Sequence, residues 1–149
     1  MVVVSAAVRP AIVGICAAAA AGCGGGNGAA QAIPGLSVGG SYDTQVSLNP
    51  GNTCGQVTVQ DAVTVVDHAA GASSLSLTHA GNTYPGTIDR TGLFSTAKVR
   101  VAAQIDVSVA GQFGATGFDA TTRVDQLSPP CGYSVHWIGT ERGAPNTFP

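Results

Sequence analysis

The sequence predicts an all-β domain, an antiparallel meander of about eight strands. A small closed barrel is the preferred architecture and a β-sandwich the alternative. Three observations predict it. In residues 99–113, VRVAAQIDVSVAGQF, the residues Val99, Val101, Ala103, Ile105, Val107, Val109 and Phe113 share one parity, while Arg100, Gln104, Asp106, Ser108 and Gln112 occupy the other. Alternation of this kind marks a strand with one buried face. Turn-forming clusters, NPGN, AAGA, AGN, DRTG, GQFG and SPP, punctuate the rest of the chain, as in short hairpin connections. Finally, only 9% of residues are charged and 21 are glycine, whereas ordinary soluble domains carry about 25% charge and disordered chains combine high net charge with low hydrophobicity.

The 149 residues fit one domain preceded by a targeting segment. Residues 1–8 are apolar, Arg9 supplies one positive charge, and residues 11–21 form an apolar run ending in small residues. That order matches a secretory signal. The run is about a dozen residues, short of the roughly 20 that a membrane-spanning helix needs, and a span would carry Arg9 and Pro10 into the hydrocarbon.

The tetrapeptide Ala20-Ala21-Gly22-Cys23 resembles the lipobox of bacterial lipoproteins, with Ala20 where that family usually has leucine. Small residues suit a peptidase that must seat the chain beside a lipid-modified sulfur, and only a thiol forms the thioether. The resemblance implies cleavage of a signal peptide spanning residues 1–22, diacylglycerol on Cys23 with acyl chains such as palmitate, and a cell-envelope location, lipid-anchored and facing the extracytoplasmic side. Cys16 follows Ile15, whose branched side chain does not suit the cleavage position. The alternatives for this segment are ordinary signal cleavage nearby and an uncleaved Ala-rich helix. Residues 23–36 are then read as the lipidated cysteine and a flexible Gly/Ala-rich tether, with a span on the order of 20 Å.

Residues 37–149 make up the β-domain. The expected strands cover residues 37–48, 56–59 with 62–68, 73–79, 82–89, 92–98, 115–127 and 131–141. At about 3.3 Å per residue the run 99–113 would extend about 50 Å, too far for one strand, so it is expected to fold back or bend near residues 102–104.

With Cys16 removed and Cys23 lipidated, Cys54 and Cys131 remain, and outside the cytoplasm such a pair is expected to form a disulfide. The chain-entropy model gives about 4.5 kcal/mol for so long a loop, as an upper figure. A metal site on the two thiolates lacks a CxxC pair, and no metal or cofactor is expected. His68 and His79 flank the turn around Gly71 and are expected to be solvent-facing at hairpin ends rather than metal ligands. In CGYSVHWIG, His136 has polar parity, whereas Tyr133, Val135 and Trp137 share the opposite face. Trp137 is therefore expected to anchor the core, and Tyr133 and Trp137 are the candidate ligand-lining residues if the barrel encloses a cavity.

No catalysis is expected. GxSxG, HExxH and P-loop motifs are missing from the sequence. The STAK of residues 95–98 matches SxxK spacing without the companion SDN and KTG motifs, and it sits in a strand pattern where that chemistry uses a helix. The net charge is -2, Lys98 is the only lysine, and the arginines at 9, 90, 100, 123 and 142 are scattered, so no basic stripe is offered to nucleic acid.

With NTCG, GLFST, VAGQFGATGF and CGYSVHWIGT, the body is similar in rhythm to small uncharacterised envelope lipoproteins built as β-barrels or β-sandwiches, and to mycobacterial lipoprotein antigens. Those share a lipobox, a Gly/Ala/Thr-rich tether and one disulfide across a β-domain. The expected function is a lipid-anchored envelope module, binding or structural. Its partners would be the membrane through the anchor and envelope or host proteins. The alternative is a carrier of a small apolar ligand or lipid inside the barrel, which requires an open mouth and a cavity of at least ~300 Å³. A filled interior would place function on the outer face.

Overall fold

A computed structural model describes residues 31–149; the expected signal peptide, Cys23 and the expected tether up to residue 30 lie outside the described residues. Among the described residues the chain forms nine strands and no helix. They are β1 (Gly40–Leu48), β2 (Ala62–Asp67), β3 (Ser74–His79), β4 (Asn82–Ile88), β5 (Leu93–Thr96), β6 (Val99–Ala102), β7 (Ile105–Gly114), β8 (Gly117–Leu127) and β9 (Pro130–Glu141). The run 99–113 folds back as expected, because β6 ends at Ala102 and β7 begins at Ile105. Between β3 and β4, Ala80 and Gly81 take φ values of 46° and 80°, the two positive angles that a two-residue hairpin turn of right-handed strands requires.

The strands close into an eight-stranded antiparallel barrel with one additional strand. β9 returns to β1, pairing Tyr42 with Glu141 and Leu48 with Val135 at the two ends of the ladder. On the other side β7 bonds β5 through Phe94↔Gly111 and β6 through Val99↔Val107. β5 and β6 are two halves of one wall strand, offset by one residue in register where residues 97–98 interrupt it. At the interruption Thr96 Oγ1 accepts the Val109 amide at 2.9 Å, so a side chain replaces a lost main-chain acceptor.

Alternation sends the apolar residues inward. Tyr42, Phe94, Phe113 and Phe118 meet in one cluster, with ring centroids 4.9 Å apart for Phe94 and Phe113, 5.2 Å for Tyr42 and Phe118, and 5.5 Å for Phe113 and Phe118. Tilted and edge-on contacts of this kind add about 0.5–1.5 kcal/mol each beyond burial. Exposed outer positions carry Asp43, Gln45, Thr83, Thr121 and Arg123. This polarity is the reverse of barrels that sit in lipid, which turn an apolar band outward.

Each end has its own cover. At one end Ser37 bridges Thr147, and Leu36 and Val38 are fully buried. Ile33 donates its amide to the Gly71 carbonyl at 2.7 Å and packs on the core. The folded body therefore takes in residues 33–36, which the sequence reading assigns to the tether; the apolar Ile33 and Leu36 gain more by burial than the Gly-rich stretch gains by freedom. At the other end residues 49–53 run along the start of β9, the Cys54–Cys131 disulfide holds the loop there, and Asp61 returns to β1 by accepting the Val46 amide at 2.7 Å. Residues 56–59 are not a strand, contrary to expectation. The disulfide fixes this segment to the start of β9, and Val59 packs against the core from the end instead of from a wall.

Close packing explains one glycine. A Cβ on Gly139 would lie 2.2 Å from Phe118 Cε1. Gly139→Ala is expected to destabilise the protein by about 1–3 kcal/mol through overpacking, measured by urea denaturation. A loss under about 0.5 kcal/mol would show that the Phe118 ring can move aside.

Candidate functional site

Three regions bring chemistry-bearing residues together: the interior, the disulfide end and the charged outer wall of β6, β7 and β8. In the interior Trp137 is 3% exposed, stacked on His79 with ring centroids 4.1 Å apart and edge-on to Tyr84 at 6.3 Å. It is the core anchor its parity predicted. Tyr133 is half-buried and packs on the core nearer the disulfide end of the same strand. Burial first, and the nearby Tyr133 second, push the Tyr84 hydroxyl pKa upward.

His79 departs from expectation. The register Thr64↔His79 and Asp67↔Ser76 places it at the far end of the hairpin from His68. It is buried, not solvent-facing, because it shares parity with Leu75 and Leu77. Its partners form a chain across three strands. Nδ1–H donates to Thr64 Oγ1 at 2.9 Å, Thr64 donates to Thr44 Oγ1 at 2.7 Å, and Thr44 donates to the Tyr42 carbonyl at 3.3 Å. This direction follows from the last acceptor, a carbonyl with no proton to give. Burial lowers the His79 pKa, which favours the neutral imidazole. His68 sits at the turn, where Nδ1 accepts the Val38 amide at 3.4 Å and Nε2–H donates to the Ala72 carbonyl at 2.9 Å. His136 faces outward, with Nε2 2.8 Å from Asp119 Oδ1. Among the described residues no three or more His, Cys, Asp or Glu side chains converge as a metal site.

At the disulfide end a cleft of about 640 Å³ opens between residues 50–53 and the β8–β9 hairpin. Arg123, Asp125, Gln126, Ser134, Thr53 and Tyr133 are among its lining residues. The loop is fixed to β9 by reciprocal bonds, with Thr53 N donating to the Gly132 carbonyl at 3.0 Å and Gly132 N donating to Thr53 Oγ1 at 2.9 Å. Arg123 is anchored to Asp125 through Nε at 3.0 Å, and Lys98 reaches the other carboxylate oxygen at 3.0 Å. The Lys98 contact first, and Arg123 with it, holds the Asp125 carboxyl below the usual range. Arg100 pairs with Asp106 on the adjoining strands. Exposed pairs of this kind add little to stability, so they orient side chains more than they stabilise the barrel. The guanidinium, hydroxyl and amide groups suit a polar or anionic ligand, not an apolar one.

Cys54 and Cys131 are joined as expected, whereas Cys23 lies outside the described residues. Tyr133 and Trp137 share a strand face, but Trp137 is packed against His79 and Tyr84 and Tyr133 borders the cleft. In STAK, Lys98 turns to Asp125 and Ser95 is exposed on the outer wall. Sequence reasoning missed the Thr44–Thr64–His79 chain, although the parity of SLSLTH pointed His79 inward. No protein family, curated protein or solved structure matches this chain.

The His79 environment sets a pH dependence. With its folded pKa below the unfolded value of about 6.5, the unfolded state takes up the proton first. The stability that neutral His79 contributes is fully present above about pH 6.5 and is lost as pH falls toward the folded pKa, at up to about 1.4 kcal/mol per pH unit. Denaturation at pH 7.5, 6.5 and 5.5 is expected to show this loss in the wild type and a shallower one in His79→Phe; parallel curves would refute it.

Proposed function

We propose that this chain is a lipid-anchored extracytoplasmic β-barrel domain of the bacterial cell envelope, a binding or structural module without catalysis. The reading rests on the lipobox-like Ala20-Ala21-Gly22-Cys23 and on the Cys54–Cys131 disulfide, a bond at home in oxidising compartments. The observation that carries the choice of module over carrier is the filled interior. Tyr42, Phe94, Phe113, Phe118 and Trp137 occupy the barrel axis and are nearly inaccessible. A carrier of apolar cargo needs that volume for its ligand.

Recognition then belongs to the exterior. The cleft beside the disulfide offers Arg123, Gln126 and Ser134, and Val63, Val65 and Ile138 are exposed on the wall formed by β2, β1 and β9. Envelope or host proteins are partners of suitable chemistry for these surfaces. The membrane is engaged through the anchor.

Intact-mass analysis of the protein in the membrane fraction tests the anchor. The expected species begins at Cys23 and carries the mass of a diacylglyceryl group with its acyl chains. Cys23→Ala is expected to abolish labelled-palmitate incorporation and release the domain from membranes; a mature N-terminus elsewhere would overturn the reading. Organic extraction of the purified protein is expected to yield no stoichiometric lipid beyond the anchor, and recovery of one equivalent of a further lipid would restore the carrier.

A further inference from the structure

At the end covered by residues 33–38, several oxygens meet with too few hydrogens between them. Tyr42 and Glu141 are cross-strand partners of β1 and β9, both on the inward face. The Tyr42 hydroxyl lies 2.7 Å from the Val38 carbonyl and 2.7 Å from Asn146 Oδ1. A hydroxyl has one proton and satisfies one of these acceptors as donor. The Asn146 amide has no freedom to turn over, because its Nδ2 donates to the Gly114 carbonyl at 2.8 Å and reaches the Gly117 carbonyl at 3.4 Å. Its oxygen therefore stays on the Tyr42 side. Glu141 adds a further acceptor. Its carboxylate lies against the Tyr42 hydroxyl, and its Oε1 accepts the Gly143 amide at 3.0 Å, while Oε2 is buried with no hydrogen bond of good geometry.

Buried polar atoms are otherwise almost always paired, so an orphaned carboxylate oxygen calls for an explanation. Two features define the surroundings of the carboxylate. A Cβ on Gly40 would lie 2.6 Å from Oε1 and 2.9 Å from Oε2, so the missing side chain is what gives the carboxylate its place. Beside it opens a cavity of about 350 Å³ lined by residues that include Glu141, Asn146, Ser37 and Ser41. Arg142 lines the same cavity, with its guanidinium donating to Asp43 and not to Glu141.

We propose that this cluster binds a hard metal cation, with Glu141 Oε2, Asn146 Oδ1 and the Val38 carbonyl oxygen as ligands. Carboxylate, amide and main-chain carbonyl oxygens are the donor set of calcium and of other hard ions such as sodium. A single carboxylate sets a weak affinity, in the range of about 10⁻⁴–10⁻³ M found for extracellular calcium modules. A carbonyl oxygen has two lone pairs, so the one Tyr42 proton serves either the Val38 carbonyl or Asn146 Oδ1 while the cation draws on the other and on Oε2, and no oxygen is left unpaired. The cation also ties β9 through Glu141 to the covering segments through Val38 and Asn146, so it acts as a clasp on this end of the barrel.

Thermal melting of the intact chain at constant ionic strength tests this. The three solutions are choline chloride with a chelator, sodium chloride, and choline chloride with about 5 mM calcium chloride, several times the expected dissociation constant. The expected result is a rise in Tm on the order of 5 °C with calcium or sodium, and the salt that produces it identifies the ion. Glu141→Gln fills the same space and brings its own N–H donors, so its Tm is expected to be the same in all three solutions. Gly40→Ala, which pushes the carboxylate aside, is expected to lose the response as well and serves where Glu141→Gln does not fold. A wild-type Tm indifferent to all three solutions overturns the proposal and assigns the satisfaction of Oε2 to a proton or a water. An equal rise in the variants overturns it too.

Discussion

Along one edge β7 bonds to two strands in turn, to β5 near its C-terminal end and to β6 near its N-terminal end, and the closed wall depends on that shared edge. β5 alone spans only Leu93–Thr96, too short to bridge β4 and β7 over their whole length. The line is extended by β6 after a one-residue offset, at which Thr96 supplies a side-chain acceptor. β4 meets β5 as far as Gly86, and Pro85 contributes its carbonyl to Ala97 N at 2.9 Å. Pro85 has no amide to leave unpaired where that ladder stops. Because the wall closes, every strand except at this seam has two neighbours, and every alternate residue is committed to the interior.

That commitment accounts for the division of labour between inside and outside. The interior is filled by rings; the Thr44–Thr64–His79 chain pairs three of its polar members, whereas Thr122 Oγ1 is buried without a partner. Most charge is left to the wall and rims, where Lys98, Arg100 and Arg123 lie against Asp106 and Asp125. The module reading follows from this distribution more than from any single motif. A barrel whose axis is occupied meets partners with its rims and outer strands.

Much of this was legible in the sequence because the period-two signal is strong. The parity of residues 99–113 and of CGYSVHWIG assigned inward and outward faces that the structure keeps, and Trp137 and the Cys54–Cys131 bond stand where they were expected. What was not legible depends on register and on chain ends. His68 and His79 were both expected to face solvent at hairpin ends, yet the pairing Thr64↔His79 sends one to the turn and the other to the core. Residues 56–59 have strand-like alternation but join no sheet, in a loop that a disulfide ties to a strand distant in sequence. The Tyr42–Glu141–Asn146 cluster joins residues from the two extremes of the domain. The Glu141 parity with Trp137 and Gly139 was visible in the sequence, whereas the partner that makes it matter was not.

The cover built from residues 33–38 and the C-terminal segment also gives the molecule a direction. The chain enters the barrel at Ile33, beside the β2–β3 turn and at the end opposite the disulfide. Any attachment made ahead of Ile33 therefore holds the barrel by its covered base. The Cys54–Cys131 rim, with Arg123 and the cleft, is then the pole of the barrel farthest from that base.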